Sequence, residues 1–183
     1  EILVRGENIM NGYWNDPEAT SSTIIDGWVH TGDIGEFDDD KYLKITDRKK
    51  DIIVNAGGDN ISPSRIEEKL NIEPEISQSM IYGDFKNYLV AIIVPDKEQA
   101  IIWANQNNKK NDLSFLVKDE DFNKMIKEVT NKVNNNLSIV EQIRKFILID
   151  EEFTIDNNMM TPTMKIKRFQ VKKIFGEELE QLY

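Results

Sequence analysis

Between Asp47 and Glu67 the chain reads DRKKDIIVNAGGDNISPSRIE, and this stretch limits what the residues on either side can build. Five consecutive charged residues, Asp47 to Asp51, separate the alternating run Tyr42-Leu43-Lys44-Ile45 from the apolar, β-branched run Ile52-Ile53-Val54. Alternation of period two predicts a half-buried strand on one side, and the apolar run predicts a short strand on the other. A connection this polar belongs in water. Gly57-Gly58 ahead of Asp59-Asn60 supplies residues that tolerate positive φ in a tight turn and let another chain or a ligand approach the backbone closely. Ser62-Pro63 then predicts a helix with serine at its N-cap and proline at its first position, while Ser64 and Glu67 offer a competing capping box one step later.

The joint divides two kinds of pattern. Residues 1–49 read as short strands broken by turns: Ile2 to Arg5, a turn through Asn15-Asp16-Pro17, Trp28 to Thr31, Ile34 to Phe37, and an acidic turn at Asp38-Asp39-Asp40 before Tyr42. That is too little for a self-standing sheet domain, and Tyr13, Trp14 and Trp28 are expected to be core or barrel-packing aromatics. From Asp51 onward helix and strand mix. Met80 to Tyr82 and Tyr88 to Val94, joined by a turn from Gly83 to Asn87, predict a hairpin whose second strand is buried on both faces. Lys97 to Gln106 predicts a helix. Phe122, Met125, Ile126, Val129 and Val133 recur at three- and four-residue spacing, as one helical stripe requires. Phe146 to Ile149 is a third strand, and Val171, Ile174, Phe175, Leu179 and Leu182 close the chain with an amphipathic helix.

The expected fold class is therefore α+β: a small mixed α/β domain at 50–183, with about three strands and flanking helices, preceded at 1–49 by short β segments. With 183 residues and 39% hydrophobic content the chain can bury an ordinary core. No apolar run approaches the roughly 20 residues that span a bilayer. The start, Glu1-Ile2-Leu3-Val4-Arg5, lacks a signal peptide's pattern and a Met, so the chain is expected to begin inside a larger fold. A net charge of −10 argues against a general nucleic-acid surface, and positive charge gathers only at Arg48-Lys49-Lys50 and among Lys165, Lys167, Arg168, Lys172 and Lys173. Cysteine is absent, which excludes disulfides and thiolate metal sites and is compatible with a cytoplasmic location.

Three stretches carry a resemblance: the joint itself, RGENIMNGYWNDPEAT with GWVHTGD (Arg5 to Thr20, Gly27 to Asp33), and TPTMKIKR (Thr161 to Arg168). In order and spacing they resemble the hinge, the late large-domain motifs and the C-terminal lysine motif of the adenylate-forming superfamily of acyl-CoA synthetases. The resemblance covers essentially the whole chain but only the end of such an enzyme. It implies that 1–49 closes the large adenylation domain and that 50–183 is the small mobile domain.

It also implies roles residue by residue. Asp33, at the end of a strand-like run after Gly32, would hold the ribose hydroxyls of ATP; read alone, it is a plain turn aspartate. Arg48, with its planar donor fork, would contact the nucleotide. Lys50 would be the hinge, where other branches often carry aspartate; alone, it is an exposed linker lysine. Gly57 and Gly58 would line the passage by which the CoA thiol reaches the acyl-adenylate, while also making the turn. Lys165 would be the catalytic lysine, stabilising charge as a carboxylate joins the α-phosphate and pyrophosphate leaves. Met164 stands where many relatives have glycine, a variant that resembles the long-chain branch, and Asn157-Asn158 occupies a turn where glycine is common. His30, the only histidine, reads as a packing or surface residue.

The implied activity is that of an ATP-dependent long-chain fatty acid–CoA ligase: fatty acid and ATP give acyl-AMP, and CoA then displaces AMP after domain rotation. ATP, CoA and Mg2+ are the implied cofactors, with the metal bound mainly by the large N-terminal domain, the implied partner within the same protein. Peripheral membrane association of the full enzyme stays open. The alternatives are an adenylation enzyme for another acid that loads a carrier protein, and a non-catalytic interaction module.

Overall fold

The computed structural model describes all 183 residues and divides them into two compact units, Glu1–Ile52 and Ile53–Tyr183. The division falls at the end of the charged joint, beyond the turn formed by Lys49, Lys50 and Asp51.

In unit 1, β1 (Leu3–Val4), α1 (Pro17–Thr23), β2 (Ile24–Ile25) and β3 (Trp28–His30) give a small antiparallel sheet in the order β1-β3-β2. β4 (Asp33–Phe37) and β5 (Leu43–Arg48) form a separate antiparallel hairpin, turned by Asp38, whose Oδ1 accepts the N–H groups of Asp40 and Tyr42. Two expectations need correction. Asn15-Asp16-Pro17 does not simply turn: Asp16 caps α1, accepting the Ala19 N–H at 2.9 Å, and Pro17 opens the helix, because the same Asx-Pro pair suits both uses. The aromatics are not core. Trp14 is 96% exposed, and Tyr13 and Trp28 are also exposed, since no second layer within unit 1 covers these short strands.

Unit 2 begins with the hairpin of β6 (Ile53–Val54) and β7 (Asn60–Ile61) and continues into α2 (Pro63–Asn71). Ser62 is the N-cap and Pro63 takes the first turn, so the earlier of the two competing starts is used. β8 (Ile76–Tyr82) and β9 (Leu89–Pro95) pair antiparallel; α3 (Lys97–Gln106), α4 (Leu113–Leu116) and α5 (Glu120–Asn134) follow, then β10 (Ile143–Leu148) pairs parallel to β9, and α6 (Arg168–Glu180) comes last. The sheet order is β10-β9-β8.

Every residue of β9 is buried, and its alternation sorts two cores. Ala91 and Ile93 face one cluster, with Ile66 and Leu70 of α2 and Phe122 and Ile126 of α5. Val90, Ile92 and Val94 face the other, with Phe153, Met159, Met160 and Val171. The stripe expected on α5 is thus its buried face, whereas Ile174 of α6, expected to join the core, is 52% exposed. No helix is long and apolar enough to cross a membrane.

Candidate functional site

The residues singled out from the sequence lie at three places, one in unit 1 and two in unit 2. In unit 1, strand register sets Asp33 opposite Arg48 on β4 and β5, and the Arg48 Nε donates to Asp33 Oδ1 at 3.0 Å. Asp33 is anchored from behind, its N–H donating to Thr31 Oγ1 at 3.1 Å while that hydroxyl donates to the Ile2 carbonyl. Half of the Arg48 side chain remains exposed. The result is a carboxylate beside a cationic fork, a pair able to accept from hydroxyls and donate to oxyanions.

Glu1 braces the neighbouring loop. Its carboxylate accepts from Lys49 Nζ at 2.9 Å and from the Gly32 N–H at 3.2 Å, and lies 3.1 Å from His30 Nδ1. The Lys49 hydrogen bond, then that of His30, hold this carboxyl down at about 2, well below its ordinary range. His30 is accordingly a partner of Glu1. Lys50, exposed in the turn that follows, precedes the boundary between the units.

The glycine turn of unit 2 is bracketed by a side chain. Asn55, almost buried, accepts the N–H groups of Gly57 and Asp59 on Oδ1, each at 2.9 Å, and donates from Nδ2 to Asp59 Oδ2. A Cβ on Gly57 would stand 3.3 Å from Asn55 Oδ1, and Gly58 has φ +86°, so both glycines suit the turn itself. The β8–β9 turn supports it further, with the Ala56 N–H donating to the Lys86 carbonyl and the Phe85 N–H to that of Val54.

Lys165 stands on a second hairpin, closed by a bridge between Met160 and Ile166. The Thr161 N–H donates to the Lys165 carbonyl at 2.8 Å, and the Lys165 N–H donates to Thr161 Oγ1 at 3.0 Å. Met164 adopts φ +60° and Asn158 φ +61°, so both non-glycine residues are left-handed here. The backbone of Lys165 is thus fixed while its side chain is exposed and makes no hydrogen bond or ion pair within the chain. A primary ammonium offered in this way can approach an anion.

Sequence reasoning missed two supporting residues, Glu1 and Asn55. Only Asn55 had a local signal, the Asx-turn pattern Asn-Ala-Gly-Gly-Asp. Nowhere do three or more acidic, histidine or cysteine side chains gather in a way that could hold a metal ion.

Residues 50–183 match the family described as the AMP-binding enzyme C-terminal domain. Over its full length the chain is 40% identical to the long-chain-fatty-acid–CoA ligase FadD15 of Mycobacterium tuberculosis and covers 31% of that protein. It is 36% identical to long-chain-fatty-acid–CoA ligase 1 of Homo sapiens, covering 27% of it. The chain therefore spans about a third or less of the curated relatives it matches. Among solved structures, the adenylation domain of a carboxylate reductase from Mycobacterium chelonae superposes with TM-score 0.83 at 25% identity, over 99% of this chain and 27% of that one.

Proposed function

We propose that this chain, which belongs to the AMP-binding enzyme C-terminal domain family, is the closing portion of an AMP-forming long-chain fatty acid–CoA ligase. The observation that carries the reading is 40% identity to such a ligase across every element of the chain. In the first half-reaction a fatty carboxylate attacks the α-phosphate of ATP and pyrophosphate leaves. Lys165 stabilises the negative charge that develops there, a role for which its fixed backbone and unencumbered ammonium are suited. Asp33 accepts from the ribose hydroxyls and Arg48 donates to nucleotide oxygens. In the second half-reaction unit 2 turns about Lys50, and the thiol of CoA reaches the acyl-adenylate past Gly57 and Gly58. Magnesium accompanies the nucleotide and is bound mainly outside this chain. The same reading carries a cytoplasmic location.

A second reading has its own support. The likeness to a carboxylate-reductase adenylation domain, at TM-score 0.83, supports an adenylation enzyme for another carboxylic acid that loads a carrier protein. Supplying CoA to the full-length protein with palmitate and ATP separates the two, since only the ligase releases palmitoyl-CoA.

The test of Lys165 is made in that full-length protein. Lys165→Ala should lower pyrophosphate release roughly 10²- to 10³-fold while thioester formation from supplied acyl-AMP persists. Equal losses in both half-reactions would reduce Lys165 to a structural residue.

A further inference from the structure

The Lys165 hairpin is tied to unit 2 at three points. Upstream, Gln78 of β8 accepts the Phe153 N–H at 2.6 Å and donates to the Phe153 carbonyl at 3.1 Å, so one side chain stands in for a strand partner. In the middle, Met159 and Met160 are buried in the second core cluster. Downstream, the first residue of α6, Arg168, reaches across the fold to Glu67 of α2: Nη1 donates to Oε1 and Nη2 to Oε2, both at 2.6 Å. Two parallel bonds fix the plane of the guanidinium as well as its distance.

The base of this grip is rigid. Glu67 is 7% exposed, its Oε1 also accepts the Ile81 N–H at 2.7 Å, and its helix neighbours Ile66 and Leu70 are fully buried. The start of α6 has little local support. Its N-cap is Lys167, which makes no side-chain cap, and the first turn has no acidic residue, so cations crowd the positive end of the helix dipole. The Glu67 carboxylate supplies the missing anion from α2. Between Arg168 and Lys165 there is no slack: the Lys167 N–H donates to the Met159 carbonyl at 2.8 Å, and Ile166 is bridged to Met160. Lys165 and Arg168 thus belong to one short hydrogen-bonded segment. Stability alone explains the pair poorly, because an enclosed ion pair is often no better than an apolar pair of the same shape.

We propose that Glu67 is a positioning residue for the adenylation step, holding Arg168 so that the hairpin presents Lys165 in one direction. The inference rests on the reading of Lys165 given above. Displacement of a catalytic group by about 1 Å can cost on the order of 10²-fold in rate.

The test uses the full-length protein and a two-by-two set of variants. Glu67→Gln keeps the size and the acceptor for the Ile81 N–H but removes the charge. It should lower turnover in pyrophosphate release from ATP and palmitate by roughly tenfold or more, with KM for ATP within about twofold and thioester formation from acyl-AMP unchanged. In a Lys165→Ala background the same change should add nothing, since no lysine remains to be misplaced. Arg168→Lys, which keeps the charge and loses the fork, should repeat the pattern and replaces Glu67→Gln if that variant does not fold. Parental turnover, losses that multiply in the Lys165→Ala background, or equal damage to both half-reactions would overturn the role of Glu67. Intact adenylation in Lys165→Ala itself would instead overturn the reading on which the role rests.

Discussion

The two units use strands of similar pattern and reach opposite interiors. In Glu1–Ile52 the single buried residue is Asp47, and the exposed groups include Trp14, Phe37 and Tyr42. In Ile53–Tyr183 both faces of one sheet are covered, and Phe122, Phe153, Ile66 and Leu70 are at most 1% exposed. Alternating residues are enough to make a strand, but a core also needs a layer to face. α1 buries none of its residues, whereas α2 contributes Ile66 and Leu70, and α5 Phe122, Ile126 and Val133, to the first core cluster.

The contrast can be broken most forcefully by truncating one aromatic in each unit. Phe122→Ala should cost residues 1–183 about 3–5 kcal/mol, because it opens a cavity beneath α5 and removes the ring stacked edge-on against Trp103. Trp14→Ala, at a position 96% exposed, should cost less than about 1 kcal/mol. Urea titrations of the two variants decide the matter; equal losses would mean that unit 1 has a core after all.

Acid probes a property the units share. Asp112, the N-cap of α4, is brought from 3.8 down to about 2, chiefly by its hydrogen bond from Lys110 and then by Ser114. A carboxyl depressed on folding lends stability above its unfolded pKa, and that stability disappears as pH falls through the folded value. Asp112→Asn should therefore flatten part of the decline in urea midpoint between about pH 4 and pH 2. An unchanged slope would assign the acid sensitivity elsewhere, Glu1 in unit 1 being depressed to a similar value.

The smallest effect concerns backbone strain. Both units hold non-glycine residues in the left-handed region, Lys41 at φ +65° in unit 1 and Met164 at φ +60° beside Lys165 in unit 2. Met164→Gly should stabilise the folded chain by up to about 1 kcal/mol, relief of strain being partly offset by the greater freedom of glycine when unfolded. A loss of stability in the thermal midpoint would show that the exposed methionine makes contacts worth more than its strain.

A continuous apolar run revealed the buried β9 and periodicity the α5 stripe, because each is written in neighbouring residues. α1 was hidden by an Asp-Pro pair that serves turns and helix starts equally. Lys165 and the glycines are singled out by local motifs alone. The pairing of Glu67 is not, since its partner lies 101 positions away and its sequence neighbourhood suggested a capping box. The exposure of Trp14 was equally hidden, because an aromatic residue does not reveal whether a second layer faces it.

The contact from Ile81 to Glu67 has a consequence for self-association. β8 lies at one margin of the sheet, and the 2.7 Å bond places a carboxylate on a backbone N–H that a passing strand would otherwise recruit. At the opposite margin, β10 is irregular between Ile143 and Lys145 and displays the exposed charges of Arg144 and Lys145. Both devices work against the addition of a fourth strand from a second copy.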